Sequence, residues 1–211
     1  MICFPDTNVI FKLAGFDLLY EALSVLSVAP KDLFILQETR KMCLGAVRSS
    51  MEKEYGRQAI PRVEALIQAA GKISANIDPK ELEALTYTDG IDAGEAVLFA
   101  ATRSHSEFLV VTHDNNSLRA LAGEPDCQVI FERMRSKVIC LEELLLRIIA
   151  RYQFEPLRHK LLYAHSYVDA LTKTLGRDPQ AGQLQVETAL RNAVDHLRRD
   201  TNYILAPPVS S

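Results

Sequence analysis

Three acidic residues stand where they could act together. Asp6 follows the apolar run Met1-Ile2-Cys3-Phe4 within "FPDTNVIF", Glu95 opens the Ala-rich stretch of "IDAGEAVLFAATRS" (91–104), and Asp114 closes "FLVVTHD" (108–114). In open parallel sheets, ligands bind outside the carboxyl ends of the strands. Asp6 and Asp114 would both lie there. Carboxylates gathered at one point raise each other's pKa, and a divalent cation relieves that repulsion. An all-oxygen donor set with no Cys or His suits Mg²⁺ or Mn²⁺ better than zinc.

Each acid also has a plainer reading. Asp and Asn are favoured N-caps, so Asp6 or Asn8, and Asp114 or Asn116, could cap the helices that follow. Asp92-Ala-Gly-Glu95 has capping-box spacing, although positions i and i+3 also share a helix face. Gly94 leaves room for a close approach at that helix start. Taken residue by residue, cap and metal ligand both stay open.

Other chemistry finds less support. There is no G-x-x-x-x-G-K-[ST], G-x-G-x-x-G or G-x-S-x-G, which argues against P-loop, dinucleotide-binding and α/β-hydrolase readings. The D-x-D pattern of aspartyl-phosphate enzymes would need an acid at Asn8. His113 directly precedes Asp114, but a lone histidine at a strand end is more often structural. Cys3, Cys43, Cys127 and Cys140 are scattered without zinc-finger spacing and read as small buried hydrophobes in a reducing compartment.

The acids need a scaffold, and the pattern predicts one. Residues 2–5 read as a strand, and 9–26 as helix with a break near Gly15. Residues 32–36 are β-like, 38–55 helical, and Pro61 opens a helix over 62–70 that Gly71 ends. A loop and short acidic helix (74–85) precede the helix at 91–104. The continuous apolar run 108–112 is the clearest strand, as expected for a parallel strand covered on both faces. A helix over 117–123 follows, then strand candidates "CQVIF" (127–131) and "KVICL" (137–141), and a helix over 141–152. Alternating strands and helices predict an α/β fold with a mainly parallel central sheet, complete by about residue 150. Beyond Pro156 come two amphipathic helices, 157–176 and 183–203, joined by "RDPQAG", and the frayed tail "APPVSS". Residues 1–150 and 151–211 therefore read as an α/β domain and a helical extension.

Bulk properties narrow the class. The 211 residues are 48% hydrophobic and 24% charged, an ordinary globular balance, and no apolar run approaches the ~20 residues of a membrane span. Without a signal-peptide pattern, a cytoplasmic location is expected. The net charge of −3 divides into −5 for residues 1–150 and +2 for 151–211, so nucleic acid would need a local basic patch.

"FPDTNVIF", "DAGEAVLFAA" and "FLVVTHDNNSLRAL", in this order and spacing, resemble the three signatures of PIN-domain ribonucleases, the group that includes VapC-type toxins. The resemblance spans about residues 1–150. It implies a three-layer α/β/α fold and a metal-dependent endoribonuclease that cleaves RNA at a Mg²⁺ or Mn²⁺ site. The site acids would be Asp6, Glu95 and Asp114, with Asp92 as a further metal ligand. Members often carry a fourth acid after the second strand; Glu38 stands slightly before the matching position, near Met42. Asn115-Asn116 occupy a place where many members carry another acid. One metal ion therefore fits this set better than two. Thr7, Asn8, Thr112, Asn116 and Ser117 would support the site or position substrate.

RNA is the implied partner, recruited by Arg48, Lys53, Arg57, Arg62 or "RMRSK" (133–137), although such charges more often form a solvated face. An antitoxin or other protein partner is also implied by the resemblance. The apolar faces of the C-terminal helices suggest a dimerisation or partner-binding module. The alternative function is a PIN-like domain that binds RNA or protein without cutting.

Overall fold

A computed structural model of the chain describes residues 1–73, 77–164, 169–175 and 177–208. It is an α/β structure, mainly helical, with a small parallel sheet of β1 (Ile2–Pro5), β4 (Phe108–Thr112) and β5 (Val138–Cys140) in the order β1-β4-β5. Ile2 pairs with Phe108 and Pro5 with Val111, while Val110 pairs with Val138 and Thr112 with Cys140. The shorter strands β2 (Phe34–Ile35) and β3 (Gly71–Lys72) pair in parallel. An isolated parallel bridge between Cys3 and Leu33 sets them beside β1. The connections therefore run from β1 outward to β2 and β3, then return to β4 on the other side of β1. Such a reversal opens a crevice at the carboxyl ends of β1 and β4.

The strands form where their residues can be buried on both sides. Val110, Val111, Val138, Ile139 and Cys140 are all buried, as a parallel sheet covered by helices requires. Phe4 centres an aromatic group with Phe34 at 5.8 Å and Phe108 at 6.2 Å, the latter edge-on. All four cysteines are buried and free. Burial pushes the Cys3 thiol up to about 12.

Helices fill the connections. The first half of the chain forms α1 (Thr7–Gly15), α2 (Leu19–Leu26), α3 (Gln37–Met42), α4 (Gly45–Tyr55), α5 (Ala59–Ala69), α6 (Pro79–Thr86) and α7 (Ala93–Ala101). The second half forms α8 (Asn115–Gly123), α9 (Gln128–Met134), α10 (Leu141–Arg151), α11 (Phe154–Ala164), α12 (Asp169–Leu175) and α13 (Gln183–Asp200). Helix α1 packs on α2, α4 and α5; α6 packs on α7, and α8 on α9. A Cβ on Gly15 would lie 2.8 Å from the Tyr55 carbonyl oxygen, so only glycine lets the ends of α1 and α4 meet this closely.

Several expectations need correction. "CQVIF" is not a strand: Cys127 ends a 3₁₀ turn and Gln128–Phe131 begin α9. Its Val129 is exposed while Ile130, Phe131 and Met134 are buried, which is helical rather than alternating spacing. The span 38–55 divides into α3 and α4, because Gly45 takes φ +59 at the junction. Helix α5 starts two residues before Pro61, which is tolerated because the first amides of a helix lack intrahelical partners. Gly71 begins β3 rather than only ending that helix.

The C-terminal segment is also less detached than predicted. Residues 157–176 contain α11, which starts at Phe154, and α12; residues 165–168 and 176 lie outside the described residues. Val186, Leu190, Val194 and Leu197 of α13 are buried in the common core, with α13 packed on α10 and α12. On α13 the apolar face is packed within the chain. Leu205 bridges Val138 in parallel just before the tail. Within the tail the Ala206 amide donates to the Val138 carbonyl at 2.7 Å and the Pro207 carbonyl accepts from Arg147 at 2.9 Å, while residues 209–211 lie outside the described residues. Ile204, Leu205 and Ala206 thus cover the outer edge of β5. Among the described residues, no helix is long and apolar enough to cross a membrane.

Candidate metal centre

Three chain segments meet around the crevice between β1 and β4. Asp6 continues the ladder of β1, its amide donating to the Val111 carbonyl of β4 at 2.8 Å. Asp114 leaves β4 two residues beyond Thr112, and its amide donates to the Thr112 hydroxyl at 3.0 Å. Glu95 enters on the first turn of α7.

The acids differ in what they already hold. Asp114 caps α8: its Oδ1 accepts from the amides of Asn116 at 2.8 Å and Ser117 at 2.9 Å. Asp92 caps α7, accepting from the Glu95 amide at 2.8 Å, while Glu95 Oε2 accepts from the Asp92 amide at 3.0 Å. The capping box is therefore real. Asp6 occupies the N-cap position of α1 with extended backbone, yet its side chain makes no capping hydrogen bond. Its Oδ2 is buried and has no hydrogen-bond partner. The Asn8 amide lies close enough to favour the Asp6 anion, but Oδ2 is left for another role.

Electrostatics tie the acids into one group. Burial raises the Asp6 carboxyl from 3.8 to about 6, the charges of Asp92 and Asp114 push the same way, and the nearby Asn8 amide and Lys12 oppose them. Burial likewise raises Glu95 from 4.5 to about 7, reinforced by Asp114 and Asp92 and only partly offset by the Asp92 amide and Ser117 hydroxyl. Asp6 and Glu95 thus each feel Asp92 and Asp114, in buried surroundings that disfavour their own charge.

Neighbouring side chains complete the site. The Thr7 hydroxyl is 2.7 Å from that of buried Thr39, which links α1 to α3. Lys12 Nζ lies 2.6 Å from His113 Nδ1, and His113 Nε2 lies 3.7 Å from Glu142 Oε1. Lysine is only a donor, so Nδ1 is the acceptor and the ring proton belongs on Nε2, facing Glu142.

The predicted supporting residues divide accordingly. Thr7 is buried and bonded, Thr112 and Ser117 hold the Asp114 turn, and Asn116 contributes its amide to the cap. Asn8 is exposed on the first turn of α1, near Asp6. Glu38 is exposed and pairs with Lys41 at 3.5 Å; its neighbour Thr39 is the α3 residue that reaches Thr7. Lys12, Thr39 and Glu142 were missed by sequence reading. Glu142 carried one signal, an acid directly after the predicted strand "KVICL".

Several proposed RNA-recruiting cations already have partners. Arg48 pairs with Glu52 at 3.0 Å and Glu64 at 2.7 Å, and Arg62 with Asp17 at 3.0 Å. Arg133 holds Glu81 at 2.7 Å, Arg135 holds Glu132 at 3.0 Å, and Lys137 lies over the Phe108 ring. Lys53 and Arg57 are exposed.

Among the described residues, no three His, Cys, Asp or Glu side chains are arranged to enclose a metal ion. The donor set instead fits an ion held by one or two carboxylates and several waters, the usual Mg²⁺ arrangement. The unpartnered buried Asp6 oxygen is the strongest local reason to place a cation here. Compared with family models, curated proteins and solved structures, the chain matches none.

Proposed function

We propose that this protein is a metal-dependent endoribonuclease with a PIN-like, three-layer α/β/α core and a helical C-terminal extension. The observation that carries this reading is the state of Asp6, buried at a strand end with Oδ2 unpartnered, its charge disfavoured first by burial and then by Asp92 and Asp114. Its place at the crevice between β1 and β4, where the strand order reverses, supports the same reading.

Asp6 and Glu95 would hold a Mg²⁺ or Mn²⁺ ion, with Asp114 and Asp92 nearby. A bound ion supplies the positive charge that activates water and stabilises the charge developing on a scissile phosphate. The chain supplies the rest. The Asp92 amide fixes Glu95 Oε2, and the α8 amides fix Asp114 Oδ1, so neither carboxylate must reorganise to act. Thr39 fixes the Thr7 hydroxyl beside Asp6. Lys12 places a cation near the acids that can attract a phosphate. Without an ion, Glu95 holds a proton up to about pH 7.

The test is cleavage of single-stranded RNA with Mg²⁺ or Mn²⁺ by the intact protein and by Asp6→Asn and Asp114→Asn. Activity should require the metal and fall at least about a hundredfold in each variant. Activity unchanged by both substitutions would remove the proposal.

A second reading, a PIN-like module that binds RNA or protein without cutting, is favoured by the lack of a three-acid enclosure among the described residues. It predicts no thermal stabilisation by millimolar Mn²⁺, whereas a functioning carboxylate site is stabilised through linkage.

A further inference from the structure

The extension and the α/β core together line a half-open pocket of about 420 Å³, of mixed polar and apolar surface, beside the acidic site. Small-molecule pockets span roughly 300–1,000 Å³, so one nucleotide fits this volume. Asn115 adjoins Asp114 in the chain, and Arg119 lies one turn further along α8. Glu142 enters from α10, Lys173 from α12, and Asn192 and His196 from α13. The pocket exists only because α12 and α13 fold back over the strand ends.

We infer that this pocket receives one unstacked nucleotide of a single-stranded RNA, next to the acids that flank the scissile phosphate. The inference rests on the ribonuclease reading for its substrate and on the pocket chemistry for everything else. Single-stranded RNA is read by splaying a base out, hydrogen-bonding its edge and stacking its face. The Asn192 amide and the Asn115 carbonyl oxygen can meet a base edge. Asn115 Oδ1 is buried without a hydrogen-bond partner, so its side chain would turn toward the pocket to meet a base. His196 offers an exposed ring for stacking.

Cations suit the backbone. Arg119 is held rigidly by Asp200 at 3.0 Å and by Asn116 Oδ1 at 3.4 Å. Lys173 is exposed and makes no ion pair with the described residues. The pairing of Arg119 with Asp200 also anchors the end of α13 to α8, which keeps the two walls in register. In this arrangement the extension selects the nucleotide while the core carries the reacting groups.

Binding of a labelled single-stranded oligoribonucleotide to the intact protein in EDTA tests this without cleavage. Lys173→Ala should weaken binding about tenfold for all sequences and reduce the salt dependence by about one phosphate contact. His196→Ala should weaken binding about tenfold through lost stacking. Asn192→Ala should flatten the preference among the four homopolymers. These three side chains are not part of the core, and unchanged melting temperatures would show that each variant stays folded. Wild-type affinity in all three variants, or no RNA binding by the wild type, overturns the inference. If the wild type fails to cleave with metal while the variants still bind weakly, the nuclease reading falls and the pocket stands. If the wild type cleaves and the variants bind and cleave equally well, the pocket falls and the nuclease reading stands.

Discussion

Lys12 Nζ lies 2.6 Å from His113 Nδ1, joining the helix that follows Asp6 to the residue that precedes Asp114. The pair therefore fixes the two strand-end acids relative to each other and keeps a cation near Asp6. Lys12→Met removes that cation. The acid limb of the cleavage pH profile should move to higher pH, with kcat/KM down about tenfold. A profile that falls uniformly without moving would show that Lys12 acts only through packing.

Asp6→Asn should separate activity from stability. It removes a buried charge that its surroundings disfavour, and so should raise the melting temperature at pH 8 while cleavage is lost. At pH 4, where Asp6 is largely protonated in the folded chain, the two proteins should melt together. A variant less stable than wild type at pH 8 would mean that Asp6 supports the fold as an anion.

Metal-free stability should depend on pH in a defined direction. Asp6 and Glu95 titrate at about 6 and about 7 in the folded chain, above their ordinary 3.8 and 4.5, so the native state binds more protons across this interval. Their contribution is full below about pH 4 and is lost as the pH rises through about 7, at most about 6 kcal/mol for the pair from the two shifts. Denaturant melts in EDTA at pH 4.5 and 7.5 measure this. Millimolar Mn²⁺ should recover stability at pH 7.5 and have little effect at pH 4.5, where the ligands are protonated.

Thr7→Val and Thr39→Val should each cost about 1 kcal/mol, and the double variant little more, because both remove the same buried hydrogen bond. Additive losses in a double-mutant cycle would show that the hydroxyls act independently.

Gly15→Ala should destabilise the fold by about 1–3 kcal/mol, since its Cβ would meet a backbone oxygen rather than a side chain able to swing aside. Equal stability in urea melts would show that α1 and α4 can separate without loss.

How much of this was legible depends on the range over which each feature is decided. Strand β4 could be read because "FLVV" is continuously apolar and suits a strand covered on both faces. The acids at 6, 95 and 114 were visible because strand ends and helix starts have local signatures. Which acid actually caps was not visible, since Asp6 and Asp114 sit in similar strand–Asp–helix contexts and only the fold shows one capping and the other not. Thr39, Lys12 and Glu142 reach the site through contacts distant in sequence, with no local mark of the partner. "CQVIF" misled because a five-residue apolar run fits strand and helix alike, and only the exposure of Val129 settles it.

The cover that Ile204–Ala206 places on β5 has a consequence for biosynthesis. An uncovered strand edge can template pairing with another chain. Here the covering residues are translated more than sixty positions after β5. At about 5–20 residues per second, the nascent chain carries that open edge for several seconds before its own tail can close it. Shortening the tail would extend the exposure of that edge to the finished protein.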